Sequence, residues 1–440
     1  MDRPAVEQSA QLLNAAPAAG EQAWWGKMRR DGWELFQRLP MPARGDEAWR
    51  FATLKRLDLS EFSQPLPVRP DDREEIISRS RALKENAGRM VIANDQLVRR
   101  EIHSAALDTK GVIWLPLEQA AAEHPELLQK HFMRAEAVLG GRKFAALHRS
   151  QLRSGSFLYI PRGVEIELPV EIFHWLHGQG GSCFPHTLII AETMSKVTVV
   201  DHFASSDANA SGFAAGVNDL WLGDGAQVTY VCTQNWSRKA VSVQINSTVV
   251  GRDAHAVALN LNLGGSFARS ESVSHLRGPG GRSDMLAVSI ADGSQEFDQR
   301  TLQIHEVPNT ASDLLYKNSL DDKARTIFAG LIRVNPGAHK TDAYQKVRNL
   351  LLSDEAEANS APGLEIEADD VRCTHGATSG QIEEEELFYL RSRGIPKAEA
   401  QRLIVHGFLQ EVIDRLGNDL LGAVLTEMIQ HKFERRFPHG

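Results

Sequence analysis

GDGAQVTYVCTQNWSRKAVSVQINSTVVGRDAHAVALNLNL, Gly223 to Leu263, holds three apolar or alternating runs separated by short polar corners. Val, Ile, Leu and Thr dominate the runs, and Gly, Asp, Asn and Ser bound them, which is the pattern of β-strands between turns. In VTYVCTQ the residues Val228, Tyr230 and Cys232 share one strand face, because side chains alternate along a strand. Two corners, GDGA and GRDA, repeat one phrase in which a small residue follows the turn, and NPGA in NPGAHKTD is a third. Strand then turn, recurring with a similar corner, suggests coils stacked into a solenoid.

The same texture extends from about Ser154 to Ile366, through SFLYIP, EIELPVEIFHWL, HTLIIAE, KVTVVDHF, DMLAVSI, RTLQIHEV and TIFAGLIRV. Without a long helix in it, this stretch reads as one large all-β unit. A sandwich of that size stays open as the alternative, since no clean repeat period emerges. Against it, two-residue Asn-Gly or Asp-Gly hairpin signals are few. The expected units are a mainly helical 1–145, a β core over 146–378 and a helical 379–440.

Before the β block, EQAWWGKMRRDGWELFQRL spaces its apolar residues as a helix does, and Pro40 and Pro42 stop it. A charged helical stretch spans about Asp71 to Asn86, GRMVIAND is extended, and PLEQAAAEHPELLQKHFM reads as a further helix. After the block, QIEEEELFYLRSRG has an acidic first turn, basic residues in its last turn and Gly394 as a stop. Pro396 then opens a helix whose apolar stripe runs through Leu403, Ile404, Phe408, Val412 and Ile413. Gly417 separates it from another stripe, Leu420 to Ile429. Such a pair either caps an open end of the solenoid or docks a partner.

Composition narrows the function classes. Of 440 residues, 42% are hydrophobic and 24% charged, as in ordinary globular proteins, and the length calls for two or three units. A net charge of −8 argues against a nucleic-acid footprint. Three scattered cysteines, Cys183, Cys232 and Cys373, make no disulfide framework and fit a reducing compartment. No secretory signal opens the sequence and no apolar run is long enough for a bilayer, so a cytoplasmic protein without membrane contact is expected. There is no G-x-x-x-x-G-K-[ST], H-E-x-x-H, C-x-x-C or G-x-S-x-G phrase, and no recognisable catalytic apparatus. A scaffold is favoured over an enzyme.

One chemical feature stands out in DDVRCTHGATSG, Asp369 to Gly380. Cys373 and His375 lie two residues apart and so on one face of a strand, where thiolate and imidazole can address one metal. The other reading is a small core residue beside a turn histidine. His174, His186, His202, His305 and His339, spread through the β region, read as satisfied core or surface residues. Cys183 and Cys232 read as structural, because free cysteine packs as a small hydrophobe. The acidic run at 383–386 reads as a solvated helix N-terminus.

The stretch SDLLYKNSLDDKARTIFAGLIRVNPGAHKTDAYQKVRNLLLSDEAEANSAPGLEIEADDVRCTHGATSGQIEEEELFYLRSRGI resembles the SufB/SufD family of iron–sulfur cluster assembly scaffolds. LGGSFARSE, FDQRTLQIHEVP and LPMPARGDEAWRF fit it too, so the resemblance covers most of residues 39 to 413. CTHGATSG and the LFYLRSRGI after it look like the SufD branch. VIANDQ and GVNDLW depart from the family's usual phrases. The resemblance implies a right-handed parallel β-helix core flanked by helical N- and C-terminal domains. It implies SufB as partner in a heterodimer and the ATPase SufC docked on the C-terminal helices, with Leu403, Phe408 and Val412 as candidate contacts. Nucleotide would then be bound by SufC and not by this chain. A nascent cluster or iron would be shared with SufB, with His375 and Cys373 as candidate ligands. Two alternatives remain: a homodimeric iron-binding scaffold acting without SufB, and a carbohydrate-active β-helix enzyme.

Overall fold

The computed structural model describes residues 23–434 apart from Lys110. The opening stretch read above for a secretory signal, residues 1–22, lies outside the described residues, as do 435–440. Two sheets of ten strands each run side by side as the walls of a parallel β-solenoid. One sheet takes, among others, the strands Val170–Leu176, Lys196–Ser205, Gln227–Asn235, His255–Asn262, Arg282–Ala291, Ala311–Leu320, Asp342–Leu351 and Arg372–Gln381. The other alternates with it along the chain, from Ser156–Ile160 and His186–Ala191 to Arg325–Val334 and Glu357–Ile366. The chain thus winds through about eight coils. The sandwich is thereby excluded, since nearly all pairings in the block are parallel and in register.

The corners explain both the fold and its hidden repeat. Where the second sheet hands over to the first, a left-handed residue recurs from coil to coil: Met194, Gly225, Asp253, Gly280, Asn309, Lys340 and Asp370, with φ between 52° and 78°. Their amides bond along the stack, as from Gly225 to the Arg252 carbonyl at 2.7 Å and from Asp253 to the Pro279 carbonyl at 3.0 Å. The following position is tight, and Ala226 and Ala254 fill it fully buried. In NPGAHKTD the corner is longer: Gly337 and Lys340 are both left-handed, and Thr341 takes the place of those alanines. In-register positions therefore recur after 31 residues, from Lys196 to Gln227, but after 27 from His255 to Arg282.

Inside the coils Val228, Tyr230 and Cys232 do share the inward face and are buried. Polar residues join this apolar filling toward the C-terminal end. Asn262 donates to Ser289 at 3.1 Å, Gln299 to Ser289 at 2.7 Å and Asn318 to Asn349 at 2.8 Å. Asn349 reaches Ser379 of the last strand at 3.0 Å. Buried amides tolerate the interior because each such bond offsets the loss of water.

Outside, the second sheet is covered by the helices Ala23–Arg38 and Arg142–Gln151, with Phe36, Trp49, Phe144, Phe213 and Phe267 in one cluster. A buried ionic knot locks this cover. Arg269 binds Glu271 at 2.7 Å, Asp298, and the carbonyls of Ala48 at 2.9 Å and Leu139 at 2.6 Å, with the Trp49 ring 3.7 Å away. Arg300 binds Asp298 at 2.6 Å and the Arg50 carbonyl at 2.7 Å. Three phrases far apart in sequence, LPMPARGDEAWRF, LGGSFARSE and FDQRTLQIHEVP, meet at this one joint.

The extended GRMVIAND forms the strand Gly88–Ala93, which pairs with Val170–Leu176 in parallel and with Gln96–Ile102 through a tight hairpin. Asn94 and Asp95 form that turn with φ of 44° and 59°, so VIANDQ keeps the backbone job of an Asn-Gly turn. The helix expected from Asp71 to Asn86 runs only Pro70–Arg79. PLEQAAAEHPELLQKHFM breaks into Leu117–Glu123 and Pro125–His131, because Pro125 disfavours a helical His124 before it. The helices Lys397–Asp414 and Asp419–Glu434 do not cap the open end; they lie on the flank of the first sheet, against Val231, Leu259, Leu286 and Leu315.

Candidate functional site

The last coil is formed by Glu357–Ile366 and Arg372–Gln381, and each of these strands has a parallel neighbour on one side only. In the strand Arg372–Gln381 every residue but Cys373 is exposed, and Ile366 on the other wall is 42% exposed. Nothing among the described residues covers this edge. An uncovered edge of ten-residue strands is a template for pairing with another chain.

Cys373 and His375 sit on it as the i, i+2 spacing requires. Cys373 lies in register with Ala343 and packs beside Ile332, Val334 and Ala338, so the pair faces the interior of the last coil. The Cys373 thiol is pushed up, mainly by burial and further by the nearby Asp342 carboxylate. It is thus a poorer thiolate than a free cysteine unless a metal or a cationic partner replaces the proton. His375 is exposed and in register with Gln345 of the preceding coil. Among the described residues no group of three or more His, Cys, Asp or Glu is placed to hold a metal ion. A thiol and an imidazole on one strand face amount to two donor types, short of the three or four that a closed metal site needs.

The other cysteines and histidines resolve differently. Cys183 and Cys232 are buried with thiols pushed well up by burial, which keeps them protonated and inert. His174, His186, His202 and His305 are buried, while His339 is exposed and bonded to the Asp369 carbonyl at 2.9 Å. His148, which the sequence reading left unremarked, bonds to His186 at 3.0 Å and to the Ala215 carbonyl at 2.8 Å. Burial takes His148 down to about 4 and His174 to about 3, and raises Asp201 and Asp219 to about 7. Tyr230 and Thr187 both donate to Asp201, at 2.8 and 2.6 Å. GVNDLW belongs here too, with Asn218 bonded to Tyr230 at 2.6 Å and Asp219 accepting from the Met133 amide at 2.8 Å. This is a buried network, paired in part: His174 Nδ1, His186 Nε2 and Asn218 Oδ1 have no hydrogen-bond partner. A two-residue spacing within one strand marks a candidate site, but no local signal brings His148 to His186.

The C-terminal helices divide their apolar residues. Val412 is fully buried against the first sheet, so it cannot face a partner. Phe408 is half-buried, its ring 4.6 Å from the Lys317 ammonium, which also donates to the Phe408 carbonyl at 2.6 Å. Of the three candidate contacts only Leu403 is exposed, at 46%. The exposed surface missed from sequence is the helix Glu384–Ser392, which buries no residue and leaves Phe388 74% and Tyr389 55% exposed. At its N-terminus the acidic run Glu383 to Glu386 is exposed, as a favourable dipole contact needs no burial. No helix among the described residues is long and apolar enough to cross a membrane.

Comparison with known proteins returns one family. The model of the SufBD core domain of the SUF iron–sulfur cluster assembly system matches residues 174–408, and that of the SufBD protein N-terminal region matches 15–172. The iron–sulfur cluster assembly protein SufD of Bacillus subtilis is 32% identical, over 94% of each chain. A SufBD family protein of Mycobacterium tuberculosis is 31% identical over 66% of this chain and 74% of its own length. One of Synechocystis is 26% identical over 88% of this chain and 86% of its own.

Proposed function

The chain belongs to the SufBD family of iron–sulfur cluster assembly proteins and is SufD-like, and on that premise we propose that it is the non-catalytic, SufD-type subunit of a cytoplasmic assembly complex. Its partner at the solenoid end is a SufB-type chain, whose edge strands complete the last coil and whose side chains complete the ligand set begun by His375 and Cys373. The observation that carries this reading is the uncovered final coil bearing the pair, beside middle coils that are covered on both faces. Iron or the nascent cluster is cargo at this seam. Soft thiolate with borderline imidazole suits it, provided the imidazole is neutral, since only the neutral ring has a lone pair to give.

The flank helices take the SufC ATPase in this reading, with Phe388, Tyr389 and Leu403 as the contact and Val412 as the internal anchor. Nucleotide hydrolysis then belongs to SufC, in keeping with a sequence that has no P-loop. The test is co-purification of the full chain with endogenous partners, followed by the native mass of the assembly. Capture of a SufB-type chain and an ATPase supports the proposal. A stable dimer of this chain alone, loading iron without a second subunit, replaces it with the homodimeric scaffold.

A further inference from the structure

We propose that Gln345 is a positioning residue for His375: its side-chain amide oxygen accepts a hydrogen bond donated by the protonated ring nitrogen, fixing one tautomer and presenting the other nitrogen to iron. The inference rests on the reading of His375 as a ligand but adds a residue that no motif points to.

Gln345 and His375 are register partners in adjacent parallel strands, and their side chains leave the same face. Such neighbours stack about 4.8 Å apart along a ladder, within reach of one another's polar tips. Gln345 is 2% exposed, yet neither its amide oxygen nor its amide nitrogen has a hydrogen-bond partner. Both of its amide atoms are out of contact with solvent as well as unpaired. Gln303 and Gln299, from the facing wall, use their nitrogens on Ser312 and Ser289, both at 2.7 Å.

The pocket for this amide is built. A Cβ on Gly330 would stand 2.1 Å from the Gln345 amide nitrogen and 2.6 Å from the Thr301 hydroxyl. The absence of a side chain at Gly330 therefore makes the space in which the amide lies, next to a hydroxyl that is itself buried and unpaired. That places the amide nitrogen over Gly330, while the amide oxygen is without a partner; His375 is its register neighbour in the next coil. A ligand histidine nearly always donates its second ring N–H to a carboxylate, a backbone carbonyl or water, and losing that acceptor costs about 10- to 100-fold in metal affinity or activity; an amide oxygen can serve in the same way.

The direct test is the tautomer of His375 in the full-length chain, read from imidazole nitrogen shifts after histidine labelling, with His375→Ala assigning the signal. One tautomer is expected in wild type and a mixture in Gln345→Met, which keeps the shape and removes the acceptor; Gln345→Leu serves if the first variant does not fold. Gln345→Glu restores an acceptor oxygen and is expected to restore the single tautomer. In the intact complex, cluster reconstitution by Gln345→Met is expected to fall about tenfold, and adding the change to His375→Ala should cost nothing more. His375 signals that are the same in wild type and Gln345→Met overturn the proposal. Wild-type cluster assembly by His375→Ala overturns instead the ligand reading beneath it, whatever the tautomer shows.

Discussion

The middle coils and the last coil share one strand pairing and one corner, yet differ in what surrounds them. Arg269 in the middle is fully buried among two carboxylates, two carbonyls and an indole. Arg333 near the end binds Glu365 at 2.9 Å with both side chains more than a third exposed. The backbone geometry that buries one pair leaves the other in solvent, so coverage is set by what packs on the coil. In the middle the chain supplies its own cover from both termini. At the end the described residues supply none, which is the physical ground for proposing another subunit there.

The comparison breaks most easily through the ionic knot. Asp298→Ala strands two buried guanidinium groups and is expected to cost about 3–5 kcal/mol, read from denaturant midpoints. Glu365→Ala, the matching change at the end, should stay within about 1 kcal/mol. Equal losses would mean that the two regions do not differ in cover as described. On the flank, Val412→Ala should lose roughly 1–3 kcal/mol of burial. Phe388→Ser with Tyr389→Ser should leave stability unchanged and weaken capture of the ATPase subunit. Unaltered capture by the double variant would remove that helix from the docking surface.

Acidity sharpens the contrast further. His148 and His174, held down to about 4 and about 3, give stability that is complete above the usual imidazole value of 6.5 and is lost as pH falls below it. Asp201 and Asp219, raised to about 7, act oppositely: their contribution is complete below the ordinary 3.8 and is lost as pH rises through 7. Between pH 7 and 4 the two effects offset one another. Asp219→Asn removes one acid-side gain, so its melting temperature should drop more steeply on acidification than that of wild type. Superimposable profiles would show that Asp219 carries no extra proton in the fold.

Strands whose inward and outward faces are both apolar, such as RTIFAGLIRV, were legible in the sequence. Phe267–Leu276 was not, because Arg269 and Glu271 face the knot while Ser272 and Ser274 face the interior, leaving no apolar alternation. The coil repeat was masked by corners that vary in length. The Cys373–His375 pair was legible as a spacing, but its place on an unpaired edge is tertiary. So is the burial of Val412 beside an exposed Leu403 on one helix. Gln345 carries no local mark at all; only the register with His375 gives it a role.

At the site itself the expected stability changes are smallest. His375→Ala removes an exposed ring and should shift stability by no more than about 0.5 kcal/mol, while cluster assembly by the intact complex falls sharply. Cys373→Ser is expected to be milder in assembly if the thiol supports the site without ligating iron. A loss equal to that of His375→Ala would make the thiol a ligand or a sulfur carrier.

The uncovered last coil as the seam with a second subunit is tested most directly by amide hydrogen exchange across 357–381. The measurement compares the dilute isolated chain with the purified native assembly. Outward-facing amides of Arg372–Gln381 are expected to exchange fast in the isolated chain and to become protected in the assembly, while strands of the middle coils are slow in both. Equally fast exchange along that strand in both states would contradict the account, because the edge would then have no partner in the complex it is held to build.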